Sequence, residues 1–119
     1  MSVSEKIRRE VCDRENVFNP AGHDYHHCFF KSEWFFDVDG EWNGYPSPRY
    51  EHTCIHSPGT EKEVLFGHKM EILRKKEAFK RFKEQYPTKI DLIAKLWKII
   101  ERKEKRHRNI GMSGSKEIL

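Results

Sequence analysis

Residues 23–56 read HDYHHCFFKSEWFFDVDGEWNGYPSPRYEHTCIH, and five of the seven histidines of the chain fall within this stretch. A lone histidine is more often a surface or packing residue than a ligand, but His52 and His56 are four residues apart, which places both imidazoles on one face of a helix. Adding His26 completes a three-ligand site with a fourth position open. The stretch therefore predicts a divalent metal centre.

The cysteines of this stretch leave a second interpretation open. Thiolates are favourable zinc ligands, so a structural four-ligand site could include Cys28 or Cys54. Cys54, however, lies two residues from either helix histidine and should point elsewhere. With Cys12 the chain has three cysteines, too few and too unevenly spaced for a disulfide framework, which favours a reducing, intracellular setting.

Turn and capping signals predict the local structure around the histidines. The aromatic-rich segment 25–38, with turn-like residues at its end, predicts a short hairpin, and a helix over 28–36 is the competing interpretation. Asparagine, glycine and proline predict a loop over 42–47. Ser47 followed by Pro48 is typical of an N-cap and a first helical position, so we expect a short helix from Pro48 to His56.

Helices flank this stretch on both sides. N-cap signals and helical spacing of apolar residues predict three of them. Their expected ranges are 4–15, 60–85 and 88–106. The second should begin with a capping box formed by Thr60 and Glu63. Residues 109–119 show no periodicity, which predicts a flexible tail.

The length of 119 residues allows one modest core, so we expect a single domain over 1–108 with its functional core at 24–56. The predicted fold class is α+β and mainly helical, a short hairpin and helix with appended N-terminal and C-terminal helices. No signal-peptide pattern and no spanning apolar run is visible. A cytoplasmic protein without a membrane role is expected.

Charge is divided unevenly along the chain, with a net charge of −5 over residues 1–67 and +9 over residues 68–108. A basic surface suits a polyanion, of which nucleic acid is the commonest. A solvated Lys/Glu-rich helix face fits the same pattern, and this alternative stays open. The candidate nucleic-acid-binding residues on the long helix are Lys69, Arg74, Lys75, Lys76, Lys80, Arg81 and Lys83.

The histidines and one asparagine follow a recognisable pattern. His26-His27 is followed after fifteen residues by Asn43, after eight more by His52 and after three more by His56. This order and spacing resembles the HNH or ββα-metal nucleases, in which a histidine pair ends the first strand, an asparagine lies in the connecting loop and two histidines follow on the helix. The context of the histidine pair also resembles a phage-associated branch of that family.

The resemblance implies a role for each of these residues. It makes His26, His52 and His56 the ligands of one divalent ion (Zn²⁺, Mg²⁺, Mn²⁺ or Ni²⁺), His27 the general base, and Asn43 the residue that braces the loop and helps to orient the base. Adjacent strand residues point to opposite faces, which fits the division of labour between the two neighbouring histidines. The implied activity is endonucleolytic hydrolysis of phosphodiester bonds in DNA.

Two other functions stay open. One is a non-catalytic nucleic-acid-binding module in which the same histidines hold a structural zinc and the basic helices bind. The other is an interaction protein whose helices dock on a host partner. Many members of the nuclease family also carry two Cys-x-x-Cys pairs around this core, and this chain has none, so its folding must rest on the helices.

Overall fold

The structure, a computed structural model, describes residues 3–18 and 20–118, with side chains described up to residue 110. Within these residues it contains four helices, a two-stranded antiparallel sheet and one 3-10 turn over Glu41–Asn43. The elements are α1 (Glu5–Arg14), β1 (His23–His27), β2 (Gly44–Pro48), α2 (Arg49–His56), α3 (Glu61–Gln85) and α4 (Ile90–Ile118). The predicted α+β, mainly helical fold class is confirmed.

The hairpin exists, but its strands are not the predicted ones. β1 pairs with β2 so that His26 lies opposite Tyr45, whereas the aromatic-rich segment 25–38 was expected to form the hairpin and 42–47 to be a loop. Both expectations are wrong. β2 accommodates two prolines because each strand of a two-stranded sheet is an edge strand, where a missing N–H costs no ladder bond.

The connection from 28 to 43 belongs to the core, which explains why its aromatic residues do not form a strand. Phe29, Trp34 and Trp42 are buried in one cluster with apolar residues of α3 and α4. The rings of Trp42 and Phe82 lie 4.7 Å apart, edge to face. Aromatic content raises strand propensity, but burial against the helices outweighs it here.

Local capping signals are mostly correct. The side chain of Thr60 accepts a hydrogen bond from the amide of Glu63 and the side chain of Glu63 returns one, so the predicted capping box is present. At the start of α2 the cap is Pro48, one residue later than predicted. Ser47 does not cap the helix, because its hydroxyl donates to Glu51 Oε2 at 2.9 Å instead.

The ends of the flanking helices lie within two residues of the predicted ends, except the C-terminal end of α4. α1 is capped by the hydroxyl of Ser4, as expected, and Arg14 fastens it to β2 through a 2.6 Å hydrogen bond to the carbonyl of Gly44.

α4 continues past the predicted end at 106 to Ile118. The backbone expected to form a flexible tail over 109–119 is thus helical to residue 118, because glycine and serine weaken a helix without breaking it. No helix in the described part of the chain has the length and apolar character needed to cross a membrane.

A glycine sets the distance between α2 and α3. A Cβ at Gly67 would lie 2.0 Å from the carbonyl oxygen of Cys54, which is part of the α2 backbone. Backbone cannot swing aside as a flexible side chain does. The close contact therefore requires glycine and holds the histidine-bearing α2 against α3.

We expect Gly67→Ala to lower the free energy of unfolding by about 1–3 kcal/mol, the usual cost of overpacking. The measurement is the urea midpoint followed by circular dichroism. Gly59→Ala is the matched control, because its new Cβ meets only the flexible end of Glu63 at 3.3 Å. Equal midpoints for the two variants would show that the contact between α2 and α3 is not tight.

Candidate metal centre and cleft

Three histidines converge at the junction of the hairpin and α2. β1 carries His26, and β2 runs directly into α2, so one turn of that helix brings His52 and His56 against the strand. Ligand atoms of the three side chains lie within 4.8 Å of one another. This cluster unites the three residues that the sequence predicts as metal ligands.

The chemistry of His26 fits a metal ligand. Its side chain is 1% exposed, and neither ring nitrogen has a hydrogen-bond partner, a state that costs about 1–3 kcal/mol for a buried polar group. Burial, with the nearby His52 and His56, lowers the pKa of His26 to about 2. Burial and His52 also lower the pKa of His56. Neutral imidazoles with available lone pairs are the donors that a divalent ion requires.

A carboxylate supports the cluster from outside. Asp24 Oδ2 lies 3.1 Å from His52 Nδ1, and this hydrogen bond lowers the pKa of Asp24. With Nδ1 occupied by the carboxylate, Nε2 of His52 is the nitrogen available to a metal. Such carboxylate–histidine pairs fix the orientation of metal-bound imidazoles in proteins.

His27 lies on the other side of β1, as alternation along a strand requires. Its ring lies edge-on to that of Tyr25, with 5.6 Å between centroids. It nevertheless lines the same cleft as His52 and His56, a depression of about 310 Å³. The residues that line this cleft are Tyr25, His27, Phe30, Lys31, His52 and His56.

Asp39 is a site residue that the sequence analysis missed. Its Oδ1 lies 2.8 Å from His27 Nε2 and 3.4 Å from Lys31 Nζ. Although burial alone would raise the pKa of Asp39, the hydrogen bonds to these two partners hold it below the usual value. The carboxylate orients the predicted base, in a segment whose sequence indicates only a turn.

Asn43 is fully buried and braces the connection between the strands. Its amide nitrogen donates to the carbonyls of Phe29 and Val38, both at 2.9 Å, and its Oδ1 accepts from the Phe29 amide at 2.7 Å. The backbone carbonyl of Asn43 also accepts from the Cys28 amide at 2.8 Å. These bonds fix the backbone next to His27, so any effect of Asn43 on the base passes through that backbone.

No protein-family model matches this chain, and no curated protein or solved structure does either. The functional assignment of the cluster therefore depends on its own residues. That assignment depends on the three histidines, the neighbouring histidine–aspartate pair and the asparagine that braces the connection. Neither Cys28 nor Cys54 belongs to the cluster found among the described residues.

Three of the basic residues of α3 that were predicted to bind nucleic acid are engaged within the fold. Arg74 makes a two-pronged ion pair with Glu51, at 2.9 and 3.1 Å, and is largely buried. Arg81 donates to the carbonyl of Trp42 at 2.8 Å and is half-buried. Lys75 is completely buried. Of the remaining candidates, Lys76 is paired with an acid of α4, whereas Lys69, Lys80 and Lys83 are exposed.

Lys75 is instead the centre of a buried ion cluster. Its ammonium donates to the carbonyl of Cys28 at 2.6 Å, contacts the carboxylate of Glu33 and lies 3.6 Å from Glu71. Lys103 of α4 contacts both acids, at 3.7 and 3.2 Å. Burial lowers the pKa of Lys75, while the two carboxylates oppose that shift. The cluster joins the core connection to α3 and α4.

We expect Lys75→Met to lower the free energy of unfolding by about 3 kcal/mol, because removing the buried central cation leaves Glu33 and Glu71 with only the partly exposed Lys103 as a counter-ion. Methionine keeps most of the volume, so a cavity is not the cause. Lys80→Met on the exposed side of α3 is the control and should change stability by less than about 0.5 kcal/mol. Guanidinium denaturation followed by tryptophan fluorescence measures both, and equal losses would contradict the role of the buried cluster.

Proposed function

We propose that this chain is a metal-dependent endonuclease of the HNH, or ββα-metal, type that hydrolyses phosphodiester bonds in DNA. One observation carries the proposal. His26, His52 and His56 approach one another within 4.8 Å, and His27, bonded to a carboxylate, lines the same cleft as two of them. A metal site and a proton acceptor on one cleft are what phosphodiester hydrolysis requires.

The order of the elements supports the same proposal. β1 ends with the histidine pair, the connection contains the buried Asn43, and β2 leads into the helix that carries the other two histidines. This is the hairpin-and-helix arrangement that the sequence resemblance implies. The three-histidine set leaves coordination positions for water or a phosphate oxygen, as catalytic rather than structural sites do.

The chain's own residues would prepare the site for a divalent ion. His26, His52 and His56 would hold it, and Asp24 would keep the ring of His52 in place. When bound, the ion supplies Lewis-acid stabilisation of the phosphoryl oxygens and of the leaving 3′ oxygen. The low pKa of His26 keeps this ligand neutral.

His27 would take the proton of the attacking water. Because Nε2 is bonded to Asp39, the lone pair that accepts the proton lies on Nδ1. The water oxygen bonds to phosphorus while the bond from phosphorus to the 3′ oxygen breaks, and the departing 3′ oxygen takes its proton from solvent. Asp39 stabilises the imidazolium that forms, and Lys31 at the rim attracts the phosphate.

The test is cleavage of supercoiled plasmid by metal-free protein supplied with Mg²⁺, Mn²⁺, Ni²⁺ or Zn²⁺ in turn. We expect nicked or linear product with at least one metal and none in EDTA. A protein with both His52→Ala and His56→Ala, purified in the same way, controls for contaminating nucleases and should be inactive. Stable DNA binding without cleavage under every metal would overturn the proposal and favour a non-catalytic module with a structural zinc.

A further inference from the structure

One face of α4 carries exposed cations without counter-ions. They follow one another at helical spacing, and none takes part in an ion pair within the described side chains. We call them the basic stripe: Lys95, Lys98, Arg102, Lys105 and Arg106. Two acids, Asp91 and Glu101, lie beside the stripe on the helix and pair with none of its members.

The basic stripe differs from the other cations of the helical pair. Lys76 is paired with Glu104 at 2.9 Å, and Lys103 contacts Glu71 at 3.2 Å. The fold thus neutralises cations that face the interface of α3 and α4. The stripe keeps its positive charge toward solvent, which favours an anionic partner.

The C-terminal half of the stripe lies within one helical turn of Lys103, which contacts a ring of the cleft. α4 runs back along α3, so that Lys103 lies over the ring of Phe30, 5.5 Å from its centroid. The Phe30 ring in turn lies 5.0 Å from that of His56. Arg102 and Arg106 are within one turn of Lys103. The stripe extends for about 16 Å at 1.5 Å per residue, enough to meet several phosphates spaced at about 3.4 Å per nucleotide along a strand.

We infer that the basic stripe binds the phosphate backbone of duplex DNA whose scissile bond enters the cleft, an inference that rests on the proposed function. It assigns to α4 the contact that the sequence suggested for α3. An anionic membrane is a poorer partner, because Leu96, Ile99 and Ile100 of α4 are buried in the core. Among the large apolar side chains described for this helix only Ile90 and Trp97 are exposed, which is little apolar surface to insert.

The experiment measures binding of a fluorescent 20-base-pair duplex in EDTA, so that cleavage plays no part. The stripe variant combines Lys98→Gln, Arg102→Gln and Arg106→Gln. The control combines Lys6→Gln, Arg9→Gln and Lys89→Gln, which removes the same charge from exposed positions outside the basic stripe and outside the candidate binding residues of α3. Thermal unfolding checks that both variants are folded.

We expect the slope of log affinity against log salt to fall by about 2–3 in the stripe variant, at about 0.9 per lost phosphate contact, and to stay unchanged in the control. Equal slopes for the two variants would overturn the inference. Binding of the wild-type protein to phosphatidylserine vesicles and not to duplex would overturn it as well. If the wild-type protein cleaves plasmid and the stripe variant binds duplex with the wild-type salt slope, the inference is overturned but the proposed function stands. Absence of cleavage would overturn the proposed function and leave the binding result intact.

Discussion

His27→Ala should slow plasmid cleavage by about 10²–10⁴-fold at saturating metal, the contribution usual for general acid–base catalysis. Under the proposed mechanism, the variant loses the nitrogen that would accept the proton of water. It should bind the metal as tightly as the wild type, because the metal cluster consists of His26, His52 and His56 and does not include His27. Initial rates of loss of supercoiled plasmid measure the first effect, and calorimetric titration with Mn²⁺ or Zn²⁺ measures the second.

The matched control is His107→Ala, which removes a histidine of α4 outside the cleft lining. It should keep the wild-type rate and affinity. Full activity of His27→Ala with every metal would refute the general-base role. Loss of metal affinity together with activity would instead make His27 a ligand and would refute the division between His26 and His27.

The convergence of the metal-site histidines could be predicted because most of it is local. His52 and His56 share a face through helix geometry alone, whatever the rest of the fold does. The capping box at Thr60 and Glu63 is local in the same sense, and it is present. His26 required more, since its place beside α2 depends on the pairing of β1 with β2. The place of His26 could be predicted only because the spacing of the histidines and Asn43 resembles that of the nuclease family.

The strands could not be located from local signals. The partner of His26 is Tyr45, across a connection whose aromatic residues have high strand propensity but are buried against α3 and α4. The prolines of β2 indicate a loop, because the sequence alone does not show that β2 is an edge strand, where proline is tolerated. Strand identity here is decided by tertiary packing, which local propensity does not record.

The fate of the basic residues also depended on distant partners. Arg74 and Lys75 have acids at helical spacing, Glu77 and Glu71. Each also pairs with an acid that is distant in sequence, Arg74 with Glu51 and Lys75 with Glu33, and these partners could not be predicted from spacing. A charge count treats buried and exposed cations alike. Asp39 was missed for the same reason, since an irregular connection separates it from His27. Spacing rules do not reach across such a segment.

The second large effect concerns the metal itself. His56→Ala should weaken the affinity for Zn²⁺ by at least about 100-fold, because loss of even an outer partner of a metal-bound histidine costs about 10–100-fold, and His56 would be a direct ligand. His56 is exposed, so the variant should fold normally without metal. Calorimetric titration of metal-free protein measures the affinity, with His107→Ala as the control that should bind as the wild type does.

Thermal unfolding gives an independent readout of the same site. A ligand that binds only the folded state stabilises it by about 2.7 kcal/mol at 100 times its dissociation constant. Zinc should therefore raise the melting temperature of the wild type and of His107→Ala but not that of His56→Ala. An equal rise in all three proteins would mean that zinc binds elsewhere, and the three-histidine centre would then be wrong however closely its side chains approach.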